Sequence, residues 1–477
     1  MTNFTEQDYT QIKNHHLTAE QVKQQITDFK NGFPFINIVS AAIAGDGILQ
    51  ISDTKYAEYY DNEKDNYKIE KFVPASGAAT RMFKDLFEFL NTGIMNQTVQ
   101  TVLDNLSNFA FYNDLKQTLP PDANAHDIIK HIIDDSGLNY GNLPKGLLKF
   151  HNDNKSGITA VAEHLGEGAQ YAQSNHIVNI HFTVSPEHIS AFTELLNTIV
   201  PQYESETGIQ YKINLSTQKS ETDTIAVNPD NTPFRNSDGT LLFRPAGHGA
   251  LIENLNDLDA DIIFIKNIDN VCTNDTRADT ILYKKILAGI AIQTQKQIFE
   301  YIHAIDSGTA NITEIQQYIS DNLGIRKFDT AQIRNILNRP LRVCGMIKNT
   351  GAPGGGPFWT QNTDGTISLQ IVEPGQIAPE SISVLHQGQY FNPVDLVCMT
   401  HDYTGKKFDL TQYIDKSTGF ISTKSKNGRD LRAMERPGLW NGAMSKWNTI
   451  FVEVPNTTFT PAKVVTDLLK DGHKHNK

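Results

Sequence analysis

A run of small residues ends at an arginine in the sequence Ser76-Gly77-Ala78-Ala79-Thr80-Arg81. Small side chains let backbone N–H groups approach a triphosphate, and the helix expected to follow adds the positive end of its dipole. The guanidinium group of Arg81 can bind two phosphate oxygens at once. The segment therefore predicts a triphosphate-binding loop, although a small-residue turn on its own is more often only a tight connection.

Two further segments carry groups suited to phosphate or base binding. In LPKGLL (143–148) a proline precedes Lys145, which by itself is typical of an ordinary exposed lysine. In RPAGHGA (244–250) the glycines beside His248 allow the backbone to approach a base or a sugar closely. The alternative for this segment is a glycine-rich turn with a solvated histidine.

Asp269 follows a continuous apolar run, DIIFIKNIDNV at residues 261–271. A strand that is apolar on both faces is typical of the middle of a parallel sheet. The carboxyl ends of such strands form the edge at which α/β proteins bind ligands and Mg²⁺. We predict that Asp269 is a magnesium ligand, and the alternative is that Asp269 or Asn270 caps the following turn.

Taken together and in this order, the segments resemble those of the sugar-nucleotide pyrophosphorylases, nucleotidyltransferases of the GT-A type, and in particular their UDP-sugar branch. PASGAATRM (74–82) resembles the family's G-x-G-T-R-[ML] loop, and LPKGLL its proline–lysine segment. FRPAGHGAL (243–251) is similar to the P-x-GHG segment, and FIKNIDNV (264–271) to the N-x-D-N strand end. The likeness covers about residues 71–400. The chain as a whole is also similar to a bacterial family of unknown function related to these enzymes.

The resemblance implies that UTP and a sugar 1-phosphate are converted to a UDP-sugar and pyrophosphate. A sugar phosphate oxygen would attack the α-phosphorus in line, so the protein must align two anions and neutralise their charge. The family likeness implies Arg81, Lys145 and Lys348 as catalytic cations and Asp269 as the Mg²⁺ ligand. It also implies a set of binding residues, which are Ser76, Gly77, Ala78, Ala79, Thr80, Gln218, Gly247, His248 and Gly249 for the nucleotide, and Glu373 and Asn392 for the sugar hydroxyls.

Two alternatives stay open at this point. Ser76 and Ala79 stand where the loop of the family has glycines, which keeps open a non-catalytic protein that binds sugar nucleotides. A GT-A glycosyltransferase would use the same crevice with a nucleotide-sugar donor. Against it, Arg81 and Lys145 suit a free triphosphate, and Asp257-Leu258-Asp259 lies in a polar loop before the strand and not at a strand end.

The elements that must position these residues alternate between strands and helices. HIVNIHFTV (176–184) and GIQYKINLS (208–216) are strand-like, and a helix capped by Ser185 is expected between them. The pattern predicts an α/β fold of the GT-A or Rossmann-like kind, a mixed and mostly parallel sheet flanked by helices. We predict a helical segment at 1–70, a nucleotidyltransferase-like core at 71–400 with helical insertions near 83–140 and 275–338, and a mixed segment at 401–477.

Composition limits the partners and the location. Lys and Arg number 42 against 54 Asp and Glu, a net charge of −12, so we expect neither nucleic acid nor a membrane surface as a partner. The N-terminus lacks the apolar core of a signal peptide, and the cysteines Cys272, Cys344 and Cys398 show no metal-site spacing. A cytoplasmic protein is expected, and the terminal GHKHNK is predicted to be a solvated tail.

Overall fold

The computed structural model describes residues 4–77, 79–152, 157–351, 354–435 and 442–474 of the 477-residue chain. Its helices and strands alternate along most of the sequence. The α-helices are α1 (Glu6–Asn14), α2 (Ala19–Asn31), α3 (Lys55–Glu63), α4 (Lys84–Thr92), α5 (Gln97–Asp104), α6 (Tyr112–Thr118), α7 (Ala125–Ile133), α8 (Ala160–Tyr171), α9 (Ile189–Thr207), α10 (Ile252–Asp257), α11 (Ala278–Asp306), α12 (Ile312–Asn322), α13 (Ile333–Leu337) and α14 (Ile382–Leu385).

The strands are mostly short and apolar. They are β1 (Ile38–Ala41), β2 (Ile43–Ala44), β3 (Gly47–Leu49), β4 (Ile69–Pro74), β5 (Lys149–His151), β6 (Ile158–Thr159), β7 (Gln173–Ser174), β8 (Ile177–Thr183), β9 (Gln210–Ser216), β10 (Thr224–Ile225), β11 (Phe243–Arg244), β12 (Ile262–Ile265), β13 (Ile325–Arg326), β14 (Leu341–Lys348), β15 (Gly356–Gln361), β16 (Ile367–Val372), β17 (Tyr390–Phe391), β18 (Leu396–Met399), β19 (Phe420–Lys426), β20 (Arg429–Glu435) and β21 (Asn448–Glu453).

The chain forms two compact units, each built from several stretches of sequence. The first unit comprises Met1–Ser52, Gln218–Asp261 and Ile290–Glu453, and the second comprises Asp53–Thr217, Ile262–Gly289 and Val454–Lys477. These units cut across the predicted segments 1–70, 71–400 and 401–477, because the last residues of the chain pack with the middle of the sequence. The N-terminal segment is helical in α1, α2 and α3, but it also contains the strands β1 to β3.

The sheet of the second unit is parallel along most of its pairs. β12 pairs with β4, β4 with β8, and β8 with β9, all in parallel, and β7 joins β8 in antiparallel. Every residue of β12 is buried, as the continuous apolar run predicted, and so is every residue of β4. The helices α4 to α9 pack their apolar sides into one core that includes Phe83, Phe111 and Phe182. The carboxyl ends of β4, β8 and β12 therefore meet at one edge, which holds the candidate site.

The first unit has its own mostly parallel set of strands. β2, β3, β21 and β14 pair in parallel, and β14 also pairs with β17 and β18 in antiparallel. A separate antiparallel sheet has the strand order β1, β15, β16 and β13. Helix α2 packs against β10 and the neighbouring residues through Val22, Ile26 and Phe29, and Ile12 of α1 belongs to the same core. Among the described residues, no helix combines the length and apolar character needed to cross a bilayer.

Candidate functional site

The small-residue loop leaves the end of β4 and is tied to the neighbouring strand. Ala75 donates its N–H to the carbonyl of Thr183 at the end of β8 (2.8 Å), and the hydroxyl of Ser185 donates to the carbonyl of Ser76 (3.2 Å). The loop then turns through a 3-10 helix, Ala79–Arg81, before α4 begins at Lys84. Gly77, Thr80 and Arg81 are exposed, and Ala78 lies outside the described residues.

Lys145 lies directly beside this loop. Its N–H points to the carbonyl of Gly77 (3.4 Å), and the N–H of Ala79 donates to the carbonyl of Leu143 (3.3 Å). The loop and the proline–lysine segment, separated by more than sixty residues in sequence, are thus neighbours in the fold. The Lys145 side chain is not the ordinary exposed one: the residue is only 9% exposed, and its Nζ donates to Asp269 Oδ2 (2.7 Å) and to the carbonyl of Ala462 (2.8 Å).

Asp269 lies just beyond β12, alongside the end of β4. The N–H of Ile268 points to the carbonyl of Pro74 (3.3 Å), so this stretch continues next to β4 after β12 has ended. Asp269 is 6% exposed. Burial alone would raise the pKa of its carboxyl group, but Lys145 and Lys463 outweigh that effect and hold the pKa below its ordinary value. The carboxylate is therefore ionised and paired with two cations.

Lys463, the second cation, was not predicted from the sequence. Its Nζ lies 3.2 Å from Oδ1 and 3.0 Å from Oδ2 of Asp269. The segment that carries it is attached to the end of β12, because Ala462 donates its N–H to the carbonyl of Asp269 (3.0 Å) and Thr460 donates to Asn270 Oδ1 (2.9 Å). The one available signal was Pro461 shortly before the lysine, as Pro144 precedes Lys145.

The end of the chain is anchored, so the prediction of a solvated tail is wrong for His473. This residue is 4% exposed, and its Nδ1 lies 2.8 Å from Nε2 of His151, whose Nδ1 in turn lies 2.5 Å from Glu163 Oε1. Arg277 forms an ion pair with the same glutamate. The buried chain of polar contacts thus fixes the C-terminal segment on the second unit.

The carboxylate oxygens of Asp269 suit a hard cation, but both of them already bind lysine ammonium groups. No group of three or more His, Cys, Asp or Glu side chains in the described ranges is arranged to hold a metal ion. Asn267, two residues before Asp269, has a buried side-chain oxygen without a hydrogen-bond partner among the described residues. Carboxylate and amide oxygens are ligands that Mg²⁺ accepts, and it commonly takes the rest from phosphates and water. The residues present therefore fit Mg²⁺, in competition with the two lysines.

A buried charge network lies behind this edge of the sheet. Glu167 of α8 is fully buried and binds Lys266 Nζ (2.7 Å) and Lys71 Nζ (3.2 Å), the latter on β4. Lys71 also donates to the carbonyl of His164 (3.0 Å). Burial lowers the pKa of Lys71 to about 7, although the charge of Glu167 opposes the shift. The network links α8 with β4 and β12, the two strands that lead into the loop and into Asp269.

The remaining predicted residues lie in the first unit. Gln218 donates to the hydroxyl of Thr222 (3.2 Å). Gly247 has a φ of 77°, a conformation that favours glycine, and a Cβ there would lie 3.0 Å from Glu435 Oε2. His248 and Gly249 open the 3-10 helix His248–Leu251. His248 is exposed, as the alternative of a glycine-rich turn with a solvated histidine predicts. Its assignment to the base stays a prediction.

Three further predicted residues of the first unit have defined local surroundings. Lys348 ends β14 with its side chain 69% exposed, 3.6 Å from Glu453 Oε1. Glu373 caps the 3-10 helix Pro374–Gln376. Asn392 is buried, donates to the carbonyl of Gly345 (2.8 Å) and accepts the N–H of Val394 (3.0 Å). Lys348 is thus the most accessible of the three.

Comparison with protein families is decisive for classification. The model of DUF4301, a domain of unknown function, matches residues 5–474. The chain belongs to the DUF4301 family. Among curated proteins, none matches the sequence of this DUF4301 chain significantly.

Solved structures show the fold of this DUF4301 chain. The uridine diphosphate N-acetylglucosamine pyrophosphorylase from Trypanosoma brucei, in complex with an inhibitor, aligns with a TM-score of 0.50 and 11% identity over 98% of this chain and 79% of that one. A mutant UDP-glucose pyrophosphorylase from Leishmania major in complex with UDP-glucose aligns with a TM-score of 0.46 and 12% identity over 98% and 79%. The UDP-glucose enzyme from Trypanosoma brucei gives 0.46 and 12% over 97% and 77%. The predicted fold class, a GT-A-like mixed and mostly parallel sheet flanked by helices, is confirmed.

Proposed function

We propose that this protein is a sugar-1-phosphate nucleotidyltransferase that makes a nucleotide sugar, with UTP as the favoured nucleotide and pyrophosphate as the second product. The observation that carries the proposal is the cluster of Lys145, Asp269 and Lys463 beside the Arg81 loop, at the carboxyl edge of the parallel strands. Such an edge is where α/β sheets bind phosphorylated ligands. The fold shared with UDP-sugar pyrophosphorylases supports the same reaction class.

In this proposal the protein supplies alignment and charge, and no covalent nucleophile. Arg81 is exposed on the loop and holds the triphosphate by paired N–H donors. Lys145 and Lys463 face the phosphates and neutralise the charge that develops as the sugar phosphate oxygen attacks the α-phosphorus and pyrophosphate leaves. Mg²⁺, when bound, supplies charge neutralisation for the phosphates, and Asp269 with Asn267 would hold it.

Recognition of the base and the sugar is proposed for the residues of the first unit. Gln218 and the backbone of Gly247 to Gly249 are assigned to uracil, and Lys348 to phosphate charge. Glu373 and Asn392 are assigned to sugar hydroxyls. For Asn392 the assignment requires that its side chain serve two purposes, since both of its polar atoms already bind backbone groups.

The partners follow from the same chemistry. They are a nucleoside triphosphate and a sugar 1-phosphate, with neither nucleic acid nor a membrane. A cytoplasmic location is proposed because nucleotides and sugar phosphates are available there and because Cys272, Cys344 and Cys398 form no disulfide in the described part of the chain.

Calorimetric titration with UTP, CTP, ATP and GTP, with and without Mg²⁺, tests the proposal, followed by pyrophosphate release over a panel of sugar 1-phosphates. We expect UTP to bind most tightly and at least one sugar 1-phosphate to release pyrophosphate. Asp269→Asn should lose turnover, while Asp471→Asn, which changes an exposed acid in the C-terminal segment that carries Lys463, should retain it. Binding of a UDP-sugar without any pyrophosphate release would favour the non-catalytic alternative, and transfer of sugar from it to an acceptor would favour a glycosyltransferase.

A further inference from the structure

The Asp269 carboxylate has both of its oxygens covered by ammonium groups. Lys145 Nζ lies 2.7 Å from Oδ2, and Lys463 Nζ lies 3.0 Å from Oδ2 and 3.2 Å from Oδ1. A divalent ion binds a carboxylate oxygen at about 2.1 Å for Mg²⁺. An ion seated between the two oxygens would therefore compete for the position that the Lys463 ammonium group holds.

The two lysines differ in how firmly they are held. Lys145 is 9% exposed and has a second partner for its Nζ, the carbonyl of Ala462 at 2.8 Å. The side chain of Lys463 is 54% exposed, and its ammonium group contacts only Asp269 among the described residues for which contacts are given. Lys463 is thus the cation that can leave.

The backbone of Lys463 stays in place when its side chain turns. Its N–H donates to Asp467 Oδ2 (2.7 Å), which also accepts the N–H of Val464 (2.9 Å). A lysine head group is a compact point charge on a flexible stem, so it can move between acceptors without movement of the main chain. The main chain at Lys463 is thus held by Asp467 while the ammonium group is free to move.

Charge determines when this movement is favourable. Lys145, Lys463 and Asp269 together carry a net charge of +1. A free divalent ion added to this cluster would meet two ammonium groups and raise the sum to +3, which repulsion opposes. The negative charge of a triphosphate offsets that sum and offers the ammonium group new oxygen partners.

We propose that Lys463 guards Asp269: its ammonium group keeps a free divalent ion off the carboxylate until a triphosphate draws the lysine away. The inference rests on the proposed function for the arrival of the triphosphate. The inference adds that the triphosphate binds first and the divalent ion second, because Lys463 leaves Asp269 only when the triphosphate is present.

Binding of Mn²⁺ in the absence of nucleotide tests whether Lys463 keeps a divalent ion off Asp269, and it does not depend on turnover. The free Mn²⁺ signal in electron paramagnetic resonance is measured during titration of the full-length protein. We expect weak binding to the wild type and at least tenfold tighter binding to Lys463→Met, with Mg²⁺ displacing the Mn²⁺. Lys463→Gln serves as a second neutral variant, and thermal unfolding checks that both variants are folded.

Matched variants show whether the tighter Mn²⁺ binding depends on Lys463 and Asp269. Lys470→Met removes another lysine of the same segment, one that is 72% exposed and pairs with Asp467 at 2.7 Å, and it should bind Mn²⁺ as the wild type does. Lys463→Arg keeps the charge and should show no gain. The double variant Lys463→Met with Asp269→Asn should lose the gain.

The proposal is overturned if folded Lys463→Met and Lys463→Gln bind Mn²⁺ no more tightly than the wild type, or if the gain survives in the double variant. Failure of the proposed function gives a different result. In that case UTP and the other triphosphates do not bind, while the Mn²⁺ gain of the Lys463 variants is still present.

Discussion

At the scale of single residues, the candidate site depends on one carboxylate held between two lysines. Asp269 is ionised although it is 6% exposed, because Lys145 and Lys463 compensate the cost of burying its charge. Removal of either partner would leave charge imbalance in a low-dielectric environment. Arg81, by contrast, is exposed and forms no ion pair among the described residues, so it is the better residue for testing ligand binding.

Arg81→Ala is predicted to weaken triphosphate binding by about 10- to 100-fold while leaving the fold intact. A charge-assisted hydrogen bond to phosphate is worth about 1.5–3 kcal/mol, and Arg81 is exposed on the loop. Calorimetry with UTP measures the loss. Lys84→Ala, an exposed cation three residues later at the start of α4, should change affinity by less than about threefold, well below one charged hydrogen bond. Equal losses in the two variants would contradict a specific role for Arg81.

The sequence predicted the position of some site residues better than of others. The Arg81 loop, Lys145 and Asp269 were assigned through the resemblance of their segments to one family, and Asp269 also from its position after an apolar strand; the fold places the three together. Lys463 was missed because it is 194 residues from Asp269 in sequence, and proximity over such a distance leaves no local pattern. For the residues of the first unit, sequence likeness remains the main support.

At the scale of elements, the site is positioned by β4, β12 and α8, which meet in the buried charge network. Glu167 pairs with Lys71 on β4 and with Lys266, which directly follows β12. A buried carboxylate with two ammonium partners tolerates loss of charge poorly, since each cation would then be without a counter-ion. The network therefore holds the strands from which the loop and Asp269 emerge.

Glu167→Gln is predicted to destabilise the protein by about 3–5 kcal/mol, which corresponds to a fall in Tm of about 3–5 °C for a chain of this size. Thermal unfolding followed by circular dichroism measures the shift. Glu88→Gln, an exposed glutamate on α4, is the control and should lie within about 0.5 kcal/mol of the wild type. A change of the same small size in both variants would show that the network contributes little to stability.

The elements that the sequence predicted best are the long and apolar ones. The expected strands at 176–184 and 208–216 correspond to β8 and β9. The run at 261–271 gives only a four-residue strand, although the chain continues alongside β4 as far as Ile268 before it turns. The short strands β1 to β3 were missed, since two to four residues give no periodic signal.

At the scale of the whole molecule, each unit is assembled from distant parts of the chain. Residues 1–52 and 218–261 both belong to the first unit, and residues 454–477 to the second. Continuous segments cannot describe such an arrangement, and the predicted segments 1–70, 71–400 and 401–477 therefore differ from the two units. Individual long-range contacts fasten these parts together, and the ion pair between Asp8 and Arg235 is one that pH can test.

The Asp8 pair predicts a loss of stability in acid. Hydrogen bonds from Arg235 hold the pKa of Asp8 at about 2, against an ordinary value of 3.8. A carboxyl group with a lowered folded-state pKa stabilises the fold above its ordinary pKa, and this contribution is lost as the pH falls from about 4 to about 2. Because Arg235 is partly exposed, we expect about 1–2 kcal/mol.

Urea unfolding of the wild type and of Asp8→Asn measures the contribution of this ion pair to the free energy of unfolding. The difference between them should be constant from pH 7 to about 5 and should shrink as the pH falls below about 4. Glu20→Gln, an exposed glutamate on α2, should show no such difference. A gap between wild type and Asp8→Asn that does not vary with pH would contradict the assignment.

The central claim, nucleotidyl transfer without a covalent intermediate, is tested most directly by isotope exchange. Radiolabelled pyrophosphate is incubated with the protein, Mg²⁺ and UTP, with and without UDP-glucose or UDP-N-acetylglucosamine. Because pyrophosphate attacks the nucleotide sugar itself in the reverse reaction, we predict that label enters UTP only when the matching UDP-sugar is present, and that Asp269→Asn abolishes the exchange. Labelled UTP formed without any sugar nucleotide, or no labelled UTP with any UDP-sugar tested, would contradict the claim.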